Sequence, residues 1–143
     1  MLNRLVLLLA LSLPGFPYQA TEDPLAVTRA ALAAVEGDSA PALEARWSAR
    51  LAGTPADRAA ALGLATLARL QYHYAEAARR YEALERTPPD RFAVHAALGL
   101  GMAFDAQGLQ AQADSQFRRA LAGARMVHDS TAETVALMNL AYL

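Results

Sequence analysis

An all-α fold is what this sequence predicts, on three observations. Alanine dominates the apolar 55% of the 143 residues, and it is the strongest helix former. Isoleucine is absent, and no β-branched run is long enough to suggest a strand. Apolar residues recur at helical spacing, as with Leu43, Trp47 and Leu51, four apart on one face. The length suggests one domain. A net charge of −1 makes no case for a nucleic-acid or anionic-membrane partner. All 13 basic residues are arginine, which reads as the codon bias of a GC-rich genome. The lack of cysteine excludes disulfides, thiolate metal sites, a cysteine nucleophile and an acylated-cysteine anchor, and it fits an oxidising compartment.

Residues Met1 to Ala20 stand apart. Arg4 supplies a positive start, Leu5 to Leu13 is apolar apart from Ser12, and Pro14, Gly15 and Pro17 break the helix. The apolar run is shorter than the about 20 residues that a bilayer requires. A secretory signal peptide cut after Ala20 is expected, hence export to the periplasm or beyond. Tyr18 departs from the small residue preferred before such a cut. The alternatives are a buried first helix or an uncleaved anchor.

Seven helices are expected after it. Asp23 caps the first, with Pro24 in its opening turn, where a missing N–H costs nothing. Leu25, Thr28, Leu32 and Val35 keep its spacing to Glu36, and Gly37 ends it with a positive φ. Asp38 or Ser39 opens the second helix, which Gly53 ends. Thr54 caps the third, with Asp57 in its first turn, and the helix runs to about Gln71. Tyr72-His73 is the turn, and the fourth spans Tyr74 to Arg86, closed by Pro88-Pro89. Asp90 caps the fifth, to about Gln107. The sixth runs from Leu109 to about Val127. Ser130 and Glu133 form a capping box for the seventh, which starts at Thr131.

Between Ala97 and Leu121, Leu100-Gly101, Phe104, Gly108, Ala113, Phe117 and Ala120 fall at fixed offsets, as in two short helices folded back on each other. This stretch resembles one tetratricopeptide repeat, or TPR. Tyr74 to Tyr81, with Ala77 between, resembles the second helix of another. There Tyr72 stands in the usual glycine place, Ala65 replaces a glycine and Ala68 an aromatic. Ala65, Gly101 and Ala141 mark periods of 36 and 40 residues, against about 34 for the family. The resemblance covers residues 55–143, or 24–143 with the first hairpin. It implies a right-handed superhelical stack of antiparallel helix hairpins, a TPR-like α-solenoid. Residues 21–53 form a degenerate hairpin in that reading, and 54–143 form repeats of which the last is incomplete.

The last helix is apolar almost throughout, although an array needs a polar cap. The chain is therefore expected to be an N-terminal fragment of a longer protein. Failing that, the face docks on another chain or on a second copy.

No catalytic residue, cofactor or metal site is expected. His73 and Glu76 lie three apart, but at a turn and without a third ligand. His128-Asp129 reads as turn chemistry. Ser48, Ser115 and Ser130 lack a glycine-flanked elbow. Gly99-Leu100-Gly101 lies inside a helix and reads as close packing, not as a phosphate loop. Arg79-Arg80 and Arg118-Arg119 read as solvated faces beside acids.

The resemblance implies that first helices line a concave groove for a peptide or helix. Carried over by offset, the groove residues are Leu62, Thr66 and Arg69, then His95, Leu98, Met102 and Asp105, then Met138 and Tyr142. This mostly apolar set lacks the lysine and asparagine of carboxylate-gripping repeats and suits an apolar segment or helix. Met102 and Met138 fit either the groove or the core. The expected function is a non-enzymatic protein-interaction scaffold in an exported bacterial protein. The alternative is a sensor or adaptor segment of a larger signalling or peptidase protein, with its effector beyond Leu143. A hydrolase on a helical scaffold would need two facing carboxylates, and the acids sit mainly on helix exteriors or at caps.

Overall fold

The structure, a computed structural model, describes residues 22–143. Among them are seven helices and no strand: α1 (Pro24–Glu36), α2 (Ala40–Gly53), α3 (Arg58–Leu70), α4 (Tyr74–Glu82), α5 (Arg91–Asp105), α6 (Gln110–Met126) and α7 (Ser130–Tyr142). The all-α expectation and the number of helices hold. The expected signal segment and its cut lie outside the described residues. No helix among the described residues is long and apolar enough to cross a membrane.

Local chemistry sets each start. Aspartate caps all four odd-numbered helices. Asp23 accepts from Leu25 N, Asp57 from Ala60 N, Asp90 from Ala93 N and Asp129 from Ala132 N. A carboxylate there meets both the free N–H groups and the positive end of the helix dipole. Two expected caps move. Thr54 does not cap α3, because its carbonyl closes a turn onto Asp57 N, and Asp57 takes the cap. Ser130 is the first residue of α7 rather than its cap, and Glu133 is drawn away to Arg125 at 2.8 Å.

The turns share one geometry. Asp38, Tyr72, Gly108 and His128 have φ of 56°, 65°, 73° and 54°. The next residue in each turn donates its N–H five residues back: Ser39 to Ala34, His73 to Ala68, Leu109 to Phe104 and Asp129 to Ala124. This is the Schellman closure of a helix C-terminus. Gly37 was expected to take the positive φ, but it sits at −100° and Asp38 takes it instead.

Helix α4 ends at Glu82, short of the expected Arg86. Carbonyls of Leu84 and Glu85 would need N–H groups from residues 88 and 89, and both are proline. The last turn tightens to three-residue bonds, from Leu84 N to Tyr81 O and from Glu85 N to Glu82 O. The guanidinium of Arg58 serves the orphan Leu84 carbonyl at 2.8 Å.

Odd helices form one row and even helices another. Each even helix packs on the odd helix before it and on the one after it. Odd helices also pack on one another, and α1 reaches both α3 and α5. The core lies between the rows, in two parts. Trp47, Tyr81, Leu62 and Leu67 centre the first, and Phe117, Val94 and Leu98 centre the second. The aromatics of the even helices, Trp47, Tyr81 and Phe117, press on glycines of the odd helices. A Cβ on Gly63 would lie 2.5 Å from Trp47 Cε3, and one on Gly101 would lie 2.5 Å from Phe117 Cε1. Gly99 meets Tyr81 as closely. Glycine inside these helices costs about 1 kcal/mol in propensity. It admits a buried ring whose loss would cost about 3–5 kcal/mol.

The last expected repeat mark shifts. Ala141 is exposed and does not reproduce the buried Ala65 and Gly101. Ala132 and Ala136 are fully buried and follow Ala96 and Leu100 by one 36-residue period. That register places Leu137 in the small-residue position.

Candidate functional site

The nine expected groove residues divide by burial. Leu62, Thr66 and Leu98 are core residues and offer a ligand no side-chain surface. Leu62 shares its cluster with Val27 and Ala31 of α1, so α1 covers that part of the odd row. Leu98 shares its cluster with Ala132 and Ala136 of α7. Thr66 is committed internally: its hydroxyl donates to Leu62 O at 2.9 Å and lies 3.3 Å from the Tyr81 hydroxyl, which donates to it.

His95 also leaves the groove. It is buried against Asp129, with its Nε2 3.1 Å from Asp129 Oδ2. A carboxylate can only accept, so Nε2 carries the proton. Burial lowers the pKa of His95 below the ordinary imidazole value, against the opposing pull of Asp129. The ring is neutral at pH 7. Burial would raise the pKa of Asp129, but the Ala132 N–H, His95 and Arg91 together outweigh it. The carboxyl is held below the usual carboxylate range.

The remaining five residues reach solvent at the C-terminal halves of three odd helices. Arg69 is half-buried near the end of α3, with its Nε 3.3 Å from the Tyr81 hydroxyl. Met102 is half-buried on α5 and packs on the second core cluster. Asp105 is exposed one helical turn later, and Met138 and Tyr142 are exposed on α7. Short turns make successive helices run in alternate directions. The odd helices therefore point the same way, and these ends lie along one edge of the row.

Sequence reading missed what holds the opposite edge. Arg58 brings Nε to 2.8 Å and Nη2 to 2.9 Å of the Asp90 carboxylate. Arg91 brings Nε to 3.0 Å of Asp129 and Nη2 to 3.1 Å of Asp23. Arg50 pairs with Asp57 at 2.9 Å and with Glu22 at 3.0 Å. Every odd-helix cap is thus gripped by an arginine from another element. The trace in the sequence is the dipeptide Asp57-Arg58 returning as Asp90-Arg91, in which each arginine holds the cap of the next odd helix.

A cleft of about 190 Å³ lies outside the expected groove, between the α4–α5 connection and α6. Ala93, Val94, Ala97 and Gly123 floor it, with Arg86 and Arg119 at its rim. Both arginines are already paired, Arg86 with Asp90 and Arg119 with Glu85. Among the described residues, no group of three or more histidine, aspartate or glutamate side chains is placed to hold a metal ion. Glu76, flagged beside His73, is engaged by Arg80 at 2.7 Å. No family model matches the chain, and neither a curated protein nor a solved structure matches it.

Proposed function

We propose that this chain is a TPR-like repeat scaffold that binds another protein and carries out no chemistry itself. One observation carries the reading: the first three hairpins repeat both their turn and their aromatic. The left-handed residues Asp38, Tyr72 and Gly108 recur after 34 and 36 residues, and so do Trp47, Tyr81 and Phe117. Stacks of such units have no single catalytic centre and present a long row of like helices. A right-handed superhelix and export by a cleaved signal peptide belong to the same proposal. So does the alternative in which the array serves as a sensor or adaptor for an effector domain.

The binding edge in this reading is Arg69, Met102 and Asp105, continued by Met138 and Tyr142. It mixes two flexible thioethers, an aromatic and one charge of each sign, which suits an amphipathic helix or an extended apolar peptide. Selection of peptides from a random display library on the immobilised chain tests it. Selected peptides should bind at least tenfold more weakly to Met102→Arg and to Asp105→Arg, with helical circular dichroism unchanged. The variant Arg46→Glu, on α2, should bind normally. Failure to enrich any peptide, or binding indifferent to both edge variants, would sink the proposal.

A further inference from the structure

The cleft between the α4–α5 connection and α6 is a departure from the repeat. Helices α4 and α6 begin one period apart, at Tyr74 and Gln110, yet α4 has 9 residues and α6 has 17. By that register Glu82, the end of α4, corresponds to Arg118. The α6 residues that line the cleft, Arg119, Ala122, Gly123 and Met126, all belong to the about two turns added beyond it. The facing wall, Arg86, Thr87 and Pro89, is the connection that follows the early stop of α4. Gly123 keeps the space between Pro89 and Val94 free. A Cβ there would lie 3.7 Å from Pro89 Cβ and 2.9 Å from Val94 Cγ2.

We propose that this cleft binds a small apolar monocarboxylate, one aromatic ring or short branched chain bearing a single carboxylate. Charge is the first argument. Two guanidinium groups and no acid line the cleft. Neither guanidinium is held firmly by its present partner. The Asp90 carboxylate already accepts from the Ala93 N–H and lies 2.8 and 2.9 Å from two Arg58 nitrogens. Arg86 is left at 3.4 Å from it, longer than the about 2.7–2.9 Å of a charge-assisted bond. Arg119 and Glu85 are 42% and 44% exposed, and such a surface pair contributes little. Each arginine is thus free to turn its fork to a carboxylate at the mouth. Size is the second argument. An apolar cavity of about 150 Å³ admits a benzene ring, and this cleft offers about 190 Å³ over a floor of alanine, valine and glycine. The third is what the lining disfavours. A bare anion such as phosphate would leave the floor unused. A free amino acid would set its ammonium beside the two arginines. A peptide would bring backbone amides, and Thr87 is the single uncharged polar side chain in the lining.

Titration of the full chain with phenylpropionate, followed by calorimetry and by amide chemical shifts, tests this. Saturable one-to-one binding is expected, with the shifts confined to residues 86–97 and 119–126. Arg86→Gln and Arg119→Gln should each raise the dissociation constant about fivefold or more. Both side chains are exposed, so these variants keep the fold, and Arg118→Gln, in its exposed pair with Asp114, should bind normally. Phenylpropionamide, propionate and phenylalanine should each bind about tenfold more weakly or worse, since each lacks the charge, lacks the apolar body or adds an ammonium. No saturable binding, shifts centred elsewhere, binding that survives both cleft variants, or equal binding of any of the three control compounds would overturn the proposal. The peptide-binding proposal is read at the other end of α5, through Met102 and Asp105, and stands or falls separately.

Discussion

Tyr72 shows how a residue can fit its place in the pattern and still strain its backbone. It holds φ of 65°, in the region glycine enters freely, and its side chain lies in solvent. Left-handed backbone costs an L-residue about 1–2 kcal/mol, partly offset by the greater unfolded entropy of glycine. Tyr72→Gly should therefore stabilise the fold by about 0.5–1 kcal/mol, read as a higher urea midpoint. The reverse holds at Gly101, where Phe117 lies against the missing side chain. Gly101→Val should cost about 2–3 kcal/mol by overpacking. Both sites were legible as sequence: Tyr72 stands where the resembled family has glycine, and Gly101 sits inside a helical pattern that glycine weakens. Asp38 and His128 were not. Their left-handed backbone follows from how α1 and α6 terminate, and neither residue type demands it.

At the level of the helix, caps decide more than propensity. The Asp23 and Asp90 caps were readable because each aspartate stands directly before an apolar-periodic run. Asp57 and Asp129 were misread because Thr54 and Ser130 offered equally good local chemistry. Long-range partners decided between them: Arg50 for Asp57, and Arg91 with His95 for Asp129. Asp129→Ala removes a cap and strands buried donors, and should cost about 2–4 kcal/mol. Asp114→Ala, in an exposed pair with Arg118, should leave the urea midpoint unchanged. The same cluster sets a pH dependence. The folded His95 binds a proton less readily than its unfolded form, which titrates near about 6.5. Its contribution is therefore full above that pH and lost as pH falls below it. Asp90 and Asp129 have pKa values lowered by folding, so their contributions disappear in a second step as pH falls below about 4. Urea midpoints between pH 3 and 8 should show both steps, and His95→Gln should remove the upper one.

For the whole molecule, the seven helices followed from helical periodicity and turn residues, and the resemblance implied their hairpins, but neither announced the depth of the odd row. The offsets that placed Leu62 and Leu98 in a groove assume that one face of each odd helix stays open. Here α1 packs on α3 and also reaches α5, and α7 closes on α5, so those positions are core. Of the nine expected positions, those left accessible lie in the C-terminal halves of α3, α5 and α7, and no local pattern announces that. The clasp of Arg91 between Asp23 and Asp129 bears on how the molecule comes apart. Where units touch only their neighbours, ends fray separately and unfolding spreads through partly ordered states. Here one guanidinium pairs with the caps of the first and the last described helix through separate nitrogens, and α1 packs on α5 as well as on α3, so the ends are tied to the middle of the array and not to a neighbour alone. Unfolding should be a single concerted transition with nearly uniform amide-exchange protection at α1 and α7, and folding should be slowed by a contact so distant in sequence. Arg91→Met should split that uniformity, releasing one terminus before the other.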